Sequence, residues 1–275
     1  MRNVVQETVA GFGDEWSRFD QSGLERAEHE TIFEQYFGIF PWEKVGADAV
    51  GFDAGCGSGR WAALVAPRVK RLHCIDASSA ALDVARKNLR DHPNVELSVA
   101  SVQEMPLSDG SMDFGYSLGV LHHVPDTAAA LRACVRKLKP GAPFLLYLYY
   151  AFDNRPAWFR GVWRASDAAR KVISRMPHPA RYATSQVLAA GVYWPLARSA
   201  RALERLGMNV EHLPLAAYRE RSFYVMRTDA LDRFGTRLEQ RFTQAEMRDM
   251  MEGAGLVDVR FRDDIPFWVG VGHRA

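Results

Sequence analysis

The chain has 275 residues, enough for one large domain or for one domain with a sizeable insertion. Its composition is 48% hydrophobic and 25% charged, with 15 Phe, 9 Tyr and 7 Trp, which indicates a soluble globular protein and excludes disordered or disulfide-dense chains. The net charge of +2 argues against a nucleic-acid-binding protein. Its three cysteines lack metal-ligand spacing, and the N-terminus has no apolar run of signal-peptide length. The longest uncharged apolar stretches, of eleven residues, are too short to span a membrane, so we expect a cytoplasmic protein without a metal site.

The region between residues 46 and 152 alternates short β-rich runs with helical patterns. The predicted strands are Ala49–Asp53, Val69–Ile75, Asn94–Val99, Met112–Ser117 and Phe144–Tyr150. The predicted helices are Ser58–Ala66, one from Ser78 or Ser79 to about Arg90, and Asp126–Leu138. Strands separated by helices of this length predict a mostly parallel sheet that is covered on both faces.

Residues 153–242 break this alternation and indicate several helices punctuated by prolines. Thr243 and Glu246 then form a capping-box pattern, which predicts a helix ending at Gly253-Ala-Gly255. The two closing strands are predicted at Leu256–Phe261 and Phe267–Gly272. The sequence thus predicts an N-terminal helical arm (1–45), an α/β core (46–152 and 243–275) and a helical insertion (153–242).

A glycine-rich turn follows the first predicted strand. Gly55, Gly57 and Gly59 stand at alternating positions, where the backbone turns sharply and approaches a ligand without an intervening Cβ. A dinucleotide fingerprint would read G-x-G-x-x-G, and here the third glycine comes one residue early. Asp53 lies two residues before the first glycine, and a carboxylate there suits a cationic ligand better than a pyrophosphate.

Asp76 ends the second predicted strand, at the same sheet edge as the glycine turn. A carboxylate at that position accepts two hydrogen bonds from a ribose diol. The alternative is a helix-capping role, but Ser78 and Ser79 are already available as caps.

Five sequence stretches occur together in a characteristic order. They are Phe52-Asp-Ala-Gly-Cys-Gly-Ser-Gly59, Ile75-Asp76, Glu104-Met-Pro-Leu-Ser-Asp-Gly-Ser-Met-Asp-Phe114, Ser117-Leu-Gly-Val-Leu-His-His-Val-Pro-Asp126 and Leu138-Lys-Pro-Gly141. With them the chain resembles the class I S-adenosylmethionine-dependent methyltransferases, in the group of the ubiquinone- and menaquinone-pathway enzymes. The resemblance implies S-adenosylmethionine as cofactor. It also implies a Rossmann-like, seven-stranded, mostly parallel sheet with helices on both faces.

The resemblance also implies roles for individual residues. The glycine turn would cradle the methionine moiety with Asp53 near its ammonium group, while Asp76 would bind the ribose and Ala77 would pack on adenine. Ser101 stands where members often carry an acid, and its hydroxyl still accepts a hydrogen bond from the adenine amine. The complete predicted cofactor site is Asp53, Gly55, Cys56, Gly57, Gly59, Asp76, Ala77, Ser101, Val102, Gln103 and Ser117.

Methyl transfer from a sulfonium requires an aligned nucleophile and the handling of one proton. His122 and His123 follow the fourth predicted strand and are candidates for the general base, although a structural role in a turn is the alternative. Related enzymes often close an N-terminal arm over their ligands, so Trp16 and Phe19 are predicted lid residues; an amphipathic helix packed on the sheet is the alternative. The predicted acceptor contacts are Trp16, Phe19, Tyr149, Arg219, Phe223 and Tyr224.

The predicted function is methylation of a small-molecule acceptor, at oxygen in preference to nitrogen or carbon. The insertion is expected to set specificity. Residues 151–242 hold fifteen Arg and one Lys against eight Asp or Glu, which favours an anionic or aromatic metabolite of a specialised or cell-surface pathway. The alternatives are a lipid-tailed quinone-like acceptor and a non-catalytic cofactor-binding scaffold. Residues 187–206 are a candidate basic amphipathic helix for membrane or lipid contact, with Trp194 at the boundary. The oligomeric state is left open.

Overall fold

The computed structural model describes residues 3–275, which form two compact units. The first unit joins residues 3–21, His29–Ala151 and Leu238–Ala275. The second unit consists of Ser22–Glu28 and Phe152–Arg237, so it takes most of the region predicted as the insertion and a short piece of the predicted arm. None of the helices within residues 3–275 has the length and apolar character that crossing a membrane requires.

The first unit is built on a seven-stranded sheet. Its strands are β1 (Val50–Ala54), β2 (Arg71–Asp76), β3 (Val95–Val99), β4 (Phe114–Leu118), β5 (Pro143–Tyr147), β6 (Leu256–Phe261) and β7 (Val269–Arg274). The strand order is β3-β2-β1-β4-β5-β7-β6, and β7 alone runs antiparallel to its neighbours β5 and β6. The predicted α/β fold with a mostly parallel sheet is confirmed.

Ten α-helices accompany these strands within residues 3–275. They are α1 (Gln6–Arg18), α2 (Arg26–Phe37), α3 (Ala62–Val65), α4 (Ser79–Asn88), α5 (Thr127–Lys137), α6 (Ala157–Ile173), α7 (His178–Leu188), α8 (Trp194–Arg205), α9 (Phe223–Gly235) and α10 (Gln244–Gly253). Ser78 caps α4 by accepting the Ala81 N–H, and the predicted capping box of Thr243 and Glu246 opens α10.

Two predicted elements have a boundary that lies at least three residues from the predicted one. The helix predicted from Ser58 to Ala66 is reduced to α3 and a following 3₁₀ turn, because Gly59 has a φ of +77° and belongs to the preceding turn. The fifth strand was predicted to reach Tyr150 but ends at Tyr147. Tyr150 instead forms an isolated parallel bridge with Phe242.

Glycine and phenylalanine alternate across the central strands and fix their register. Gly51 of β1 lies opposite Phe114 of β4, and Phe52 lies opposite Gly115. A Cβ at Gly51 would lie closer than 3.0 Å to the Phe114 ring, and one at Gly115 equally close to the Phe52 ring. Each glycine therefore makes room for a fully buried ring on the adjacent strand.

The second unit is helical. A π-helical segment, Ala189–Tyr193, joins α7 to α8, so that residues 178–205 form one continuous helix. Its inner face packs with α6 and α9 in an apolar cluster. The buried members of that cluster are Ile173, Ala189, Tyr193, Ala197, Met226, Ala230 and Phe234.

Arginines hold this second unit together. Arg170 is buried, pairs with Asp167 at 2.7 Å and donates to the Thr236 carbonyl, while Arg181 donates to the Gly235 carbonyl. Both guanidinium groups therefore satisfy carbonyls at the C-terminal end of α9, where the helix dipole favours a cation. Part of the predicted arginine excess is consequently structural.

We expect Gly51→Ala to lower the free energy of unfolding by about 2 kcal/mol, because the added methyl overlaps the buried Phe114 ring. Gly46→Ala is the matched control, since no heavy atom lies within 4 Å of a Cβ there. Urea denaturation of both variants measures the difference. Equal losses of stability would contradict the register argument.

Candidate cofactor and acceptor site

The glycine turn after β1 is closed by groups at the end of β2. The Ile75 carbonyl accepts hydrogen bonds from the N–H groups of Gly55, at 2.7 Å, and Cys56, at 3.0 Å. Asp76 Oδ2 accepts the N–H of Gly57 at 2.9 Å. Three successive N–H groups of the turn are thus hydrogen-bonded within the protein. They are not available to a ligand, so the turn contributes its backbone shape rather than these donors.

Three different elements approach the glycines of this turn. A Cβ at Gly55 would meet Val120, one at Gly57 would meet the Trp16 indole, and one at Gly59 would meet Leu89. All three glycines also have positive φ, between +53° and +89°. Side chains are excluded here both by conformation and by close approach.

Asp76 bridges the turn and the start of α4. Its Oδ1 accepts the Ser78 N–H at 2.8 Å, while the hydroxyl of Ser78, and not Asp76, caps the helix. Burial raises the pKa of the Asp76 carboxyl, and the N–H groups of Ser78, Gly57 and Ala77 oppose that shift. Each carboxylate oxygen accepts one backbone N–H, Oδ2 from the turn and Oδ1 from the start of α4, and keeps lone-pair capacity for a further donor such as a ribose hydroxyl.

Asp53 is a buried carboxyl without a hydrogen-bond partner. It is 1% exposed, and neither oxygen has a partner among the described residues. Burial raises the pKa of the Asp53 carboxyl well above its usual range, and the Asp76 charge adds to this; the nearby Tyr116 hydroxyl lowers the pKa without completing a hydrogen bond. Such a group is costly to hold inside a protein unless a ligand compensates it.

The remaining predicted cofactor residues surround this turn or the next loop. The adjacent Cys74 thiol and then burial raise the pKa of the Cys56 thiol well above its usual range, so Cys56 is a packing residue rather than a thiolate. Ser117 is fully buried and donates to the Ala54 carbonyl at 2.7 Å, which ties β4 to β1. Ser101 donates to Glu104 at 3.2 Å and keeps its own lone pairs as acceptors. Val102 and Gln103 lie half-buried in the 3₁₀ turn that follows.

The two histidines after β4 are held in different ways. His123 Nδ1 lies 2.7 Å from the Leu238 carbonyl, which only accepts, so Nδ1 carries the proton and Nε2 is left as the acceptor nitrogen. His122 Nδ1 accepts the Tyr149 N–H at 3.4 Å, so in the neutral ring the proton lies on Nε2. Burial, then His123 and Arg241, lower the pKa of His122 well below its usual value, and this ring stays neutral. The structure therefore separates a potential proton acceptor, His123, from a potential donor, His122.

A row of aromatic side chains continues from these histidines. The Tyr149 ring lies 3.9 Å from that of His122, centroid to centroid, and 6.0 Å from that of Tyr147. Tyr147 in turn contacts Tyr36 and Phe267 at 5.0 and 5.2 Å. We call Tyr36, Tyr147, Tyr149 and Phe267 the aromatic row; all four are half-buried at the carboxyl end of β5 or beside it.

The N-terminal helix lies against the same turn. The Trp16 indole contacts Gly57, and Gly13 allows α1 to approach Ser78 closely. Asn88 of α4 donates both to the Asp20 carbonyl and to the Ser58 carbonyl, and Phe19 is buried. The arm is thus packed on the cofactor turn in this structure, and its role as a lid stays a prediction.

The other predicted acceptor residues belong to the second unit. Arg219 pairs with Glu204 at 2.7 Å and also donates to the Ala216 carbonyl, so its guanidinium is engaged within that unit. Phe223 is exposed at the start of α9. Tyr224 is half-buried, and its ring packs against the backbone of Gly23.

Sequence reasoning missed several residues that the structure brings to the site. Tyr36, Tyr116, Phe267 and the Leu238 carbonyl come from distant parts of the chain. None of them belongs to a local motif. In residues 3–275 no group of three or more His, Cys, Asp or Glu side chains is placed to hold a metal ion.

Comparison with known proteins agrees with this geometry. Residues 52–146 match the model of the methyltransferase domain family. They form a class I S-adenosylmethionine-dependent methyltransferase domain. The matched region includes the last three residues of β1, the glycine turn, Asp76 and both histidines, and S-adenosylmethionine is the cofactor of this domain.

Several curated proteins resemble the methyltransferase domain. A ubiquinone biosynthesis O-methyltransferase of Xanthomonas oryzae is 35% identical over 128 residues, 46% of this chain and 52% of that protein. A malonyl-[acyl-carrier protein] O-methyltransferase of Serratia marcescens is 30% identical over 125 residues, 46% of this chain and 47% of that protein. The chain spans about half the length of these relatives.

Solved structures share the fold over most of the chain. A chain from the complex between the Haloferax volcanii Trm112 methyltransferase activator and a methyltransferase aligns with a TM-score of 0.53 at 17% identity, covering 95% of this chain and 96% of that one. A Bordetella parapertussis protein aligns with a TM-score of 0.52 at 16% identity, covering 90% and 67%. At these identities the likeness shows the fold alone.

The residues around the glycine turn fit S-adenosylmethionine. The turn is a cradle that any Cβ would fill, and the unpartnered Asp53 carboxyl suits a cationic ammonium group. Asp76 retains acceptor capacity for ribose hydroxyls, and Ser101 retains it for an amine. A pyrophosphate, by contrast, would meet the negative charges of both aspartates.

We expect Asp53→Asn to weaken S-adenosylmethionine binding at least about tenfold while raising the stability of the ligand-free protein at pH 7 by about 1–2 kcal/mol. The folded-state pKa of Asp53 lies above its unfolded value, so ionisation of this group opposes folding once the pH exceeds about 4. The gain in stability should therefore disappear in acid. Calorimetric titration and urea denaturation at two pH values measure both effects.

Asp48→Asn is the control for this substitution, because Asp48 is exposed. A loss of stability in Asp53→Asn at pH 7 would show that the carboxyl has a structural partner. Unchanged cofactor affinity would show that the carboxyl does not bind the cofactor.

Proposed function

We propose that the protein transfers a methyl group from S-adenosylmethionine to a hydroxyl group of a small, aromatic or anionic acceptor. The observation that carries this proposal is the closed glycine turn flanked by Asp76 and by a buried Asp53 without a partner. The oxygen preference is supported by the curated relatives that are named O-methyltransferases. The three cysteines, all free and buried, support the proposed cytoplasmic location.

The aromatic row supports an aromatic acceptor. Tyr36, Tyr147 and Phe267 contact one another, and Tyr149 links them to the histidine pair. Planar rings pack favourably against such a wall in offset or edge-to-face arrangements. Recognition of an anionic group has less support, since Arg219 and Arg198 already bind groups within the second unit.

Each part of the site has a task in this reaction. S-adenosylmethionine, when bound, supplies an electrophilic sulfonium methyl. The glycine turn, Asp53 and Asp76 hold and orient the cofactor, so positioning accounts for most of the rate. His123 Nε2 takes the proton of the acceptor hydroxyl, while the Leu238 carbonyl fixes the tautomer and orientation of the ring. The neutral His122 ring carries its proton on Nε2, and this N–H has no partner among the described residues. It is available to donate a hydrogen bond to the hydroxyl oxygen of the methyl acceptor.

A second candidate acceptor is a lipid-tailed quinone-like molecule. It is supported by the similarity to proteins named ubiquinone biosynthesis O-methyltransferases, which reaches 42% identity over 94 residues for the one from Alkalilimnicola ehrlichii. A non-catalytic, cofactor-binding scaffold is the remaining alternative. The proposal includes a role for the insertion, residues 153–242, in the choice of acceptor. Replacing this segment with that of a related methyltransferase should change which acceptors are methylated.

We expect Asp76→Ala to weaken S-adenosylmethionine binding about 100-fold or more, because two hydrogen bonds to a charged acceptor are lost. Asp83→Ala on exposed α4 is the control, and calorimetric titration measures both variants. Absence of binding by the unaltered protein would contradict the proposal. Binding without methyl transfer to any acceptor in labelled metabolite extracts would favour the scaffold.

We expect His123→Gln to lower kcat about 100-fold on a hydroxybenzoate acceptor and to abolish the fall of rate toward acid pH. His122→Gln should keep that acid limb, because burial lowers the pKa of His122 well below its ordinary value and its protonation therefore belongs to a more acidic range. Rate–pH profiles of the two variants distinguish the roles. The reverse result would make His122 the base.

A further inference from the structure

The outer face of the long helix over residues 178–205 is apolar and exposed. Residues 182–197 include no charged side chain. Val187 is 71% exposed and Trp194 is 47% exposed, and Val192 and Leu196 are exposed as well. This many exposed apolar side chains outside the buried positions of one helix mark an interaction surface rather than scattered surface residues. We call Val187, Val192, Trp194 and Leu196 the outer apolar face.

The inner face of the same helix is already occupied. Its buried positions Ser185, Ala189, Tyr193 and Ala197 recur every four residues, a spacing that the π-helical segment accommodates better than a regular 3.6-residue turn. Ala189, Tyr193 and Ala197 pack with buried residues of α9. One side of the helix is therefore buried against α9, and only the opposite side is available to a partner.

Basic residues outnumber acidic ones in and around this helix. Residues 168–203 contain five Arg and one Lys and neither Asp nor Glu. The acids that bound this stretch are engaged, since Asp167 pairs with Arg170 and Lys171, and Glu204 pairs with Arg219. Several of these cations are engaged as well: Arg170 and Arg181 are buried, Arg198 donates to backbone carbonyls, and Arg201 pairs with Glu220 at 2.9 Å. Residues 151–242 nevertheless hold fifteen Arg and one Lys against eight Asp or Glu, and this net positive charge favours an anionic partner.

A second helix of the same unit shows the same character independently. Along α6 the exposed apolar positions follow helical spacing and end in two bulky residues, Trp158 and Val172. Exposed Arg164 and Lys171 accompany them. The positions on this stripe are Trp158, Val162, Ala165, Ala169 and Val172.

We propose that the second unit binds the surface of an anionic lipid bilayer through the outer apolar face. Aliphatic side chains with a tryptophan on one face, together with arginines and no acids, are the composition of helices that lie in the membrane interface. Anionic headgroups are attracted by the net positive charge of the unit, while the apolar side chains enter the boundary of the acyl chains. A second copy of this chain is a poorer occupant, since a symmetric contact would bring the same positive charges together.

Vesicle flotation of the full chain tests this proposal. The protein should float with vesicles made of equal parts of phosphatidylcholine and phosphatidylglycerol, much less with phosphatidylcholine alone, and less as the salt concentration rises. The double variant Val187→Glu, Trp194→Glu should bind the anionic vesicles about tenfold more weakly or worse. Val257→Glu is the matched control, because Val257 is also 47% exposed but lies on β6 of the first unit.

Three outcomes would overturn the proposal. They are equal flotation of the double variant and the unaltered protein, no flotation with anionic vesicles, and a dimer in solution that the double variant abolishes, which would make the face a contact between copies. Circular dichroism verifies that the variants are folded. The affinity of the double variant for S-adenosylmethionine should equal that of the unaltered protein. A failure of vesicle binding would therefore leave the proposed function intact, and a failure of cofactor binding would leave this proposal intact.

Discussion

The closure of the glycine turn by the end of β2 is the constraint on which the site depends. One backbone carbonyl, that of Ile75, and one carboxylate, that of Asp76, accept three successive amides of the turn. This pairing requires β1 and β2 to run parallel and in register, with Asp53 opposite Cys74. The same contacts fix where α4 begins, because Asp76 also binds the Ser78 amide. A cofactor cradle is thereby obtained as a direct consequence of strand pairing.

Charge is treated in opposite ways in the two units. The first unit buries the Asp53 carboxyl, which has no hydrogen-bond partner among residues 3–275, and a cationic ligand can compensate it. The second unit buries Arg170 and Arg181 but satisfies each with helix-terminal carbonyls. Buried charges are normally compensated within the protein. The uncompensated Asp53 carboxyl therefore indicates a binding function, and the compensated Arg170 and Arg181 indicate a structural role. The distinction cannot be made from residue type, since both are charged groups in a folded interior.

Local patterns in the sequence predicted most of the first unit. The strand–helix alternation, the caps of α4 and α10 and the glycine turn are all set by residues within a few positions of one another. Errors arose where the backbone leaves a regular element early, as at Gly59 and after Tyr147. The aromatic row and the Leu238 contact of His123 could not be predicted, because they join segments separated by more than a hundred residues. For the same reason the structural role of Arg170 and Arg181 could not be predicted, because their carbonyl partners lie at the end of another helix, far along the chain.

The position of β7 has a consequence for the order in which the chain folds. This strand is the last in sequence, yet it lies between β5 and β6 in the sheet. During synthesis β6 therefore lacks its partner until residues 269–274 have emerged, and β5 keeps an open edge for the whole time that the intervening segment is made. Such long-range pairings are slow to form and leave strand edges exposed to association with other chains. The bridge between Tyr150 and Phe242 shortens the loop that must close before β7 pairs with β5, because it brings together the two points at which the chain leaves and re-enters the first unit.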